Sequence, residues 1–181
     1  MIATIYQALC ACFALPPSST EASTLIREAY HDPENTPRPP RTADVIYYFL
    51  QPDTSALEPP PSYAAENPTA ASHTPTVFSF SAWKLQLICY GPHAEENARH
   101  IRALIFIDGA GMPRSILRRA GIRPMPYPPE PLLLHEPEGS LWRQRADLTI
   151  ALRIEEKQTH PVRRGAITVP PAVRIHSGRG S

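Results

Sequence analysis

Cysteine is scarce in this chain of 181 residues, occurring only as Cys10, Cys12 and Cys89. An odd number of cysteines without a regular spacing excludes a disulfide framework as the basis of the fold. Reduced thiols are therefore expected, as in proteins of a cytosol-type compartment.

Basic residues are missing from the start of the chain, where Arg27 is the first lysine or arginine. The opening "MIATIYQALCACFALPP" is apolar, but it lacks the positive start of a signal peptide and is too short to span a bilayer. Ile5, Leu9 and Cys12 recur at helical spacing, which predicts an amphipathic helix packed on the core. An export signal is the alternative, and no membrane contact is expected.

Acidic residues are missing from the end of the chain. Five of the 18 Lys/Arg residues and none of the 17 Asp/Glu residues lie from Lys157 onward, so the rest of the chain carries an acidic excess. Residues 158–181 are predicted to form a basic C-terminal arm. Its arginines are candidates for contact with DNA or with an acidic partner, and a solvated tail is the alternative. They are Arg163, Arg164, Arg174 and Arg179.

Proline, by contrast, is abundant, with 23 residues in the chain. Six of them lie between Pro52 and Pro75, in a stretch with almost no large apolar side chain. Residues 52–75 are therefore predicted to form a long exposed loop of a single domain that covers residues 1–157. The "PPP" and "PYPPEP" runs are interpreted as stiff spacers, with polyproline ligands as the alternative.

Alternation of apolar and polar residues predicts two long strands. "TVFSFSAWKLQLICY" (76–90) places Leu85, Leu87 and Cys89 on one face. "LWRQRADLTIALRIEEK" (141–157) separates a charged face from an apolar one, whose members are Trp142, Ala146, Leu148, Ile150, Leu152 and Ile154. One apolar and one charged face imply a small antiparallel sheet with helices on one side, and hence an α+β fold.

Shorter elements are predicted between the long ones. "ADVIYYFLQ" (43–51) is rich in β-branched and aromatic residues and indicates a strand. Before it, a helix capped by Ser18, Ser19 or Thr20 is expected to place Ile26 on its inner face. "ILRRAGI" predicts a short helix, "RPMPYPPEP" an extended connector, and "LLLHEPEGS" a strand and a turn.

The stretch "LQLICYGPHAEENARHIRALIF" (85–106) concentrates reactive side chains in a predicted strand, Gly-Pro turn and helix. Cys89 belongs to the apolar face of its strand, which indicates a buried thiol. The pairs Glu95–Arg99 and Glu96–His100 lie one helical turn apart on the solvated side. Each residue therefore has a structural explanation, and no catalytic, cofactor-binding or metal-ligating residue is assigned.

A small metal-dependent enzyme is the alternative interpretation of this stretch. His93, Glu96 and His100 share roughly one face of the predicted helix and could supply three ligands. That face, however, points away from the apolar stripe and toward water, where a cavity is lacking. A Cys89–His93 nucleophile pair is disfavoured because no third residue is placed to orient it.

Three motifs, in this order, resemble a family of phage neck and tail-terminator proteins. They are "LIREAYHDPENTPRPP", then "WKLQLICYGPHAEENARHIRALIF", then "LRRAGIRPMPYPPEPLLLHEPEGSLWRQRADLTIALRIEEK". The resemblance covers Leu25 to Lys157, with the proline-rich stretch 52–75 and the basic arm as departures. It implies a tail-terminator-like fold with a long proline-rich loop and an extended C-terminal arm.

The resemblance implies a structural protein of the virion rather than an enzyme. Such proteins form a ring, expected to be a hexamer, that caps the tail tube and meets the head-tail connector protein. Assembly in the host cytoplasm, homo-oligomer contacts and non-specific contact with channel DNA are the corresponding expectations. Another oligomeric virion component, such as a head-completion protein or a baseplate adaptor, is the alternative.

A ring needs a contact between two different faces of the same subunit. The charged face of the final strand offers complementary charges that can set the register of such a contact. It provides the candidate interface residues Arg143, Arg145, Asp147, Arg153 and Glu155.

Overall fold

The computed structural model describes residues 1–29, 39–56, 62–64, 76–126, 130–138 and 140–159. Four helices and seven strands occur in these ranges. Their order is α1 (Ile2–Cys12), α2 (Thr20–Leu25), β1 (Ile26–Glu28), β2 (Val45–Pro52), β3 (Ser62–Ala64), β4 (Thr76–Tyr90), α3 (Ala94–Leu104), α4 (Pro113–Arg119), β5 (Ile122–Pro124), β6 (Leu132–Glu138) and β7 (Leu141–Thr159). The predicted α+β class is confirmed.

The chain divides into two compact units, and the larger consists of Met1–Pro60 with Ser79–Glu156. It holds α1 to α4 and a sheet in the order β1-β2-β4-β7-β5, with β6 also paired to β7. β2 and β4 are antiparallel, with Val45 opposite Tyr90, and β6 and β7 form an antiparallel hairpin.

β1 is the exception to the predicted antiparallel sheet, because it pairs in parallel with β2 and places Ile26 opposite Ile46. The expectation that Ile26 lies on a helix was therefore wrong. α2 begins as predicted, with Ser19 Oγ accepting a hydrogen bond from the Ala22 amide at 3.1 Å, but it ends at Leu25. Burial of Ile26 against the sheet outweighs the weak helical preference of a β-branched residue.

In the second unit, the structure describes residues 62–64, 76–78 and 157–159. β3 pairs with the start of β4, with Ser62 opposite Phe78. The Lys157 ammonium lies 5.5 Å from the centroid of the Phe78 ring, within the range of a cation–π contact. Within the predicted long exposed loop over 52–75, residues 62–64 form the short strand β3, while residues 57–61 and 65–75 lie outside the described residues.

One core joins the helices to one face of the sheet. From β4, the core contains Leu85, Leu87 and Cys89, as the alternation predicts. From the helices and β7, it contains Ile5, Ala8, Leu9, Ala98, Ile101, Leu117, Ala146, Leu148, Ile150 and Leu152. Helical spacing in α1 and α3 and strand spacing in β4 and β7 thus converge on a single apolar layer.

Candidate assembly surface

On the charged face of β7, two residues that lie two positions apart form an ion pair. Arg145 donates Nε to Asp147 Oδ1 at 2.7 Å and Nη2 to Asp147 Oδ2 at 2.8 Å. This fork-to-fork geometry is the strongest form of an arginine–carboxylate contact. The hydrogen bonds from Arg145 to Asp147 raise the pKa of the guanidinium, so Arg145 remains charged.

A second carboxylate, that of Glu136, connects this ion pair on β7 to the neighbouring strands β6 and β4. Glu136 on β6 lies 3.6 Å from Arg145 Nη1 and accepts a hydrogen bond from the Tyr90 hydroxyl at 2.8 Å. Burial, together with the hydrogen bond to Glu136, raises the pKa of Tyr90 to about 12, so the phenol stays a donor. Both nearby carboxylates are therefore engaged within the chain.

Arg143 is placed differently from its prediction on a solvated charged face, because only 5% of its surface is exposed. Its guanidinium carbon lies 4.7 Å from the centroid of the Tyr90 ring, which covers it. Nε and Nη2 of Arg143 are buried and have no hydrogen-bond acceptor. A cation–π contact offsets part of this desolvation, but two buried N–H donors remain unsatisfied.

We expect Arg143→Met to raise the free energy of unfolding by about 1 kcal/mol, since it keeps the buried stem and removes unsatisfied donors. Arg145→Met is the matched change, because it leaves Asp147 without its bidentate partner, and it should lower stability. Urea denaturation of both full-length variants measures the difference. Equal losses of stability in the two variants would contradict the conclusion that the buried donors of Arg143 lack acceptors.

The remaining candidates lie toward the other end of β7. Glu155 Oε2 accepts from Arg123 Nη2 at 3.2 Å, which ties β7 to β5. Arg153 stands opposite Arg123 in the register of the two strands and is exposed. Three of the five candidates, Arg145, Asp147 and Glu155, are thus ion-paired within the chain, so their role at an interface stays a proposal.

The start of β7 exposes large apolar side chains instead of charges. Trp142 occupies an even-numbered position of β7, like the residues of its apolar face, and was predicted to share that face. Nevertheless, 68% of its surface is exposed. The reason is where the neighbouring strand stops: β4 ends at Tyr90, and the next amide, of Gly91, donates to the Gln144 carbonyl at 3.3 Å. Trp142 lies two residues beyond this point.

β6 also exposes large apolar side chains, and we call the exposed apolar residues of β6 and β7 together the apolar hairpin. It comprises Leu132, Leu133, Leu134, Leu141 and Trp142. Successive strand residues point to opposite faces, so three leucines in a row cannot all be buried by one helical layer. This run of three leucines indicates exposed apolar side chains from the sequence alone, and the predictions above did not include it.

The three residues proposed for a metal site are not brought together. His93 Nδ1 lies 2.8 Å from Asp44 Oδ2, while His100 Nε2 lies 2.7 Å from the Cys12 carbonyl oxygen. Glu96 and His100 are both exposed, as predicted for the solvated side of α3, and the His100 ring also lies 5.2 Å from the centroid of the Phe13 ring. In the described ranges, no three His, Cys, Asp or Glu residues form a group that could hold a metal ion.

Cys89 is fully buried, as predicted from its strand face. Burial raises the pKa of its thiol to about 12, so the thiolate that a nucleophile needs is disfavoured. His93 is directed to Asp44 instead, and the Cys89–His93 pair is not supported.

The His93–Asp44 contact predicts a pH dependence. The hydrogen bond and charge of Asp44 raise the pKa of His93 above its ordinary value of 6.5. The stabilisation is therefore complete below about pH 6.5 and is lost as pH rises through the folded-state pKa. An NMR titration should show the pKa of His93 falling in Asp44→Asn and not in Asp108→Asn, a remote carboxylate paired with Arg118. A pKa indifferent to Asp44→Asn would refute the contact.

Two remaining predictions concern the basic arm and contact with a membrane. Arg163, Arg164, Arg174 and Arg179 of the basic arm lie outside the described residues. Among the helices that the structure describes, none is long and apolar enough to cross a membrane.

A comparison with protein-family models decides the family. The model for the phage neck terminator protein matches residues 1–172. The chain belongs to this phage neck terminator family. The match includes the proline-rich stretch 52–75 and part of the basic arm, so it extends beyond the predicted range of Leu25 to Lys157. Membership supports a structural role at the neck of the virion. A search of curated proteins gave no significant match.

Proposed function

We propose that the protein forms a homo-oligomeric ring, a hexamer, at the head-tail junction. The ring caps the tail tube and joins it to the head-tail connector protein, and it assembles in the host cytoplasm. The observation that carries this proposal is the phage neck terminator match over residues 1–172. The protein acts by binding its partners, without a catalytic step.

The surface chemistry of the larger unit supports an assembly role. The apolar hairpin presents five large side chains whose exposed fractions run from 36% to 68%. These side chains lie on both faces of the hairpin, since Leu133 stands opposite Ala146 and Leu134 opposite Arg145, and exposed apolar side chains of this size favour contact with partners. The charges that border it on β7 are ordered by Arg145 and Asp147, and ordered charges set the register of a contact. Arg145 and Asp147 are proposed as interface residues on this basis. Arg153 and Glu155 are proposed to contact a partner toward the other end of β7, and Arg143, which is 5% exposed, is proposed to support the contact through its packing on Tyr90.

Inactivation of the gene in the producing phage tests the proposal. Without a terminator, tail polymerisation has no stop, so overlong tails that are not joined to filled heads are expected in electron micrographs. Supplying the intact gene from a plasmid should restore joined tails of normal length. Joined tails of normal length in the inactivated phage would refute the function, and loss of head filling or of the distal tail tip would favour a head-completion protein or a baseplate adaptor.

For the basic arm, we propose non-specific contact with DNA in the channel. Arg163, Arg164, Arg174 and Arg179 supply positive charge with few aromatic residues for base stacking, which fits phosphate contact without sequence preference. Rings of the full-length protein should bind DNA with a salt-dependent affinity, and rings truncated after Lys157 should bind it more weakly. Unchanged binding after truncation would sink this role.

A further inference from the structure

β6 forms an open edge of the sheet. It pairs with β7 on one side and, in the described ranges, has no strand on its other side. Leu132, Leu133 and Leu134 are 60%, 46% and 36% exposed, so the helices do not cover this strand. An edge strand of seven residues with exposed leucines is a template for pairing with another strand.

The backbone groups that face the open edge follow from the bonding of β7. The Gln144 carbonyl accepts from the amide of Gly91, which follows β4, at 3.3 Å and therefore points away from β6. Bonded and non-bonded pairs alternate along an antiparallel ladder, so Gln144 and His135 form a non-bonded pair. The N–H and C=O groups of His135, and those of Leu133 two residues earlier, thus point to the open edge.

Prolines limit the open edge to a short window. Pro137 lies two residues after His135 and also faces the open edge, where its missing N–H costs β6 no bond to β7. Pro131 directly precedes β6. Between the two prolines, Leu133 and His135 offer N–H donors that no described backbone carbonyl takes up. Residues 132–136 therefore remain available to a partner strand.

A strand that fits this window is encoded in the basic arm. Residues 165–169 have the sequence "GAITV" and contain Ile167, Thr168 and Val169, whose β-branched side chains favour a strand. The run ends at Pro170, which lacks the N–H needed to continue a ladder. Outside the described residues, no other stretch has three β-branched residues in a row. The phage neck terminator match extends to residue 172 and includes this run.

The length of the arm favours β6 of another copy over β6 of the same chain. Leu134, at the centre of the window, stands opposite Arg145, which precedes Glu156 by eleven residues, or about 36 Å along β7. Ile167 follows Glu156 by eleven residues, and a fully extended chain of that length reaches at most about 40 Å. A return along β7 would leave no residues for the turn.

We propose that residues 165–169 of one copy add a strand to the open edge of β6 in the next copy. Backbone hydrogen bonds to Leu133 and His135 supply the affinity of this strand addition. The arm and the edge are different surfaces, so the contact is heterologous and can repeat around a ring. The inference rests on the proposed ring and names one contact within it. Other contacts also hold the ring, so truncation after Lys157 weakens it without abolishing it.

A proline in β6 of the full-length protein tests the edge, with mass photometry as the readout. His135→Pro removes an N–H that faces the open edge and leaves the bonds to β7 in place. It should raise the concentration needed for ring formation about tenfold or more. His135→Ala keeps the N–H and is the matched control, which should form rings as the wild type does. Circular dichroism confirms that each variant is folded, and Leu133→Pro replaces His135→Pro if the latter is not.

Prolines in the arm test the other half of the contact without changing the sheet. The double variant Ile167→Pro, Thr168→Pro removes two consecutive N–H groups, one of which faces the partner strand in either orientation. It should weaken ring formation about as much as His135→Pro does. Ile175→Pro makes the same change in the arm outside the run and should have no effect.

Cysteine cross-linking distinguishes pairing between copies from pairing within one chain. Leu133→Cys is combined in turn with Ala166→Cys, Ile167→Cys and Thr168→Cys, and the three native cysteines are at most 3% exposed. Oxidation of at least one combination should give covalent multimers on a non-reducing gel. Leu133→Cys combined with Ile175→Cys is the control and should remain monomeric on the gel.

Three results would overturn the inference while leaving the ring in place. They are proline variants that form rings as readily as the wild type, cross-links confined to single chains, and the absence of cross-links in every combination. A wild-type protein that never forms rings, alone or in virions, would sink the proposed function as well.

Discussion

Gly91→Ala is expected to lower the free energy of unfolding by about 3 kcal/mol or more, the combined effect of strain and overpacking. Gly91 has a φ of +113°, which L side chains rarely adopt. A Cβ atom there would lie 2.5 Å from Asp44 Oδ1 and 2.7 Å from the Ala43 carbonyl oxygen. Because the second atom belongs to the backbone, a side-chain rotation cannot relieve the clash. Urea denaturation of the full-length protein measures the loss.

Gly111→Ala provides the matched control for this substitution. Gly111 also has a positive φ, of +76°, but a Cβ atom there would meet no atom within 4 Å. The expected loss is therefore only the strain of a left-handed alanine, about 1 kcal/mol. Similar losses for Gly91→Ala and Gly111→Ala would show that the close approach of Gly91 to Ala43 and Asp44, just before β2, does not add to the loss of stability.

Leu148→Ala should lower the free energy of unfolding by about 2 to 5 kcal/mol, because it leaves a cavity in a close-packed core. Leu148 is 1% exposed and lies in the apolar layer between β7 and the helices. Leu141→Ala removes the same atoms from the same strand at a position that is 59% exposed, and should change stability by less than about 0.5 kcal/mol. The midpoints of urea denaturation compare the two.

Equal effects of the two leucine substitutions would contradict the position of the core along β7. The two midpoints thus separate the buried part of the strand from its exposed start.

Much of the fold follows from local patterns. The helical spacing of Ile5 and Leu9 predicts α1, and the alternation in β4 and β7 predicts which faces are buried. The Ser19 cap of α2 is local as well, since it joins residues three positions apart. These features depend on neighbours within one or two turns, or on the alternation of a single strand, so the chain encodes them wherever it packs.

The structure of the candidate assembly surface was predicted only in part. β7 was predicted as a strand with one charged face, and Arg145 and Asp147 do form an ion pair on that face. The apolar hairpin was missed. The alternation of β7 indicates the face on which Trp142 lies, but it does not reveal that β4 ends before it reaches the position beside Trp142. The family resemblance indicated a neck protein, and the matched range is wider than the motifs that suggested it.

The sequence by itself determined the α+β class, the helices and long strands, the buried face of β7 and the resemblance to neck terminators. The tertiary structure decided that Ile26 joins the sheet, that His100 binds α1, and that Arg143 is buried while Trp142 is exposed. The physical reason is that periodicity fixes the direction in which a side chain points. Which residues lie under a covering layer depends on where elements distant in the sequence begin and end.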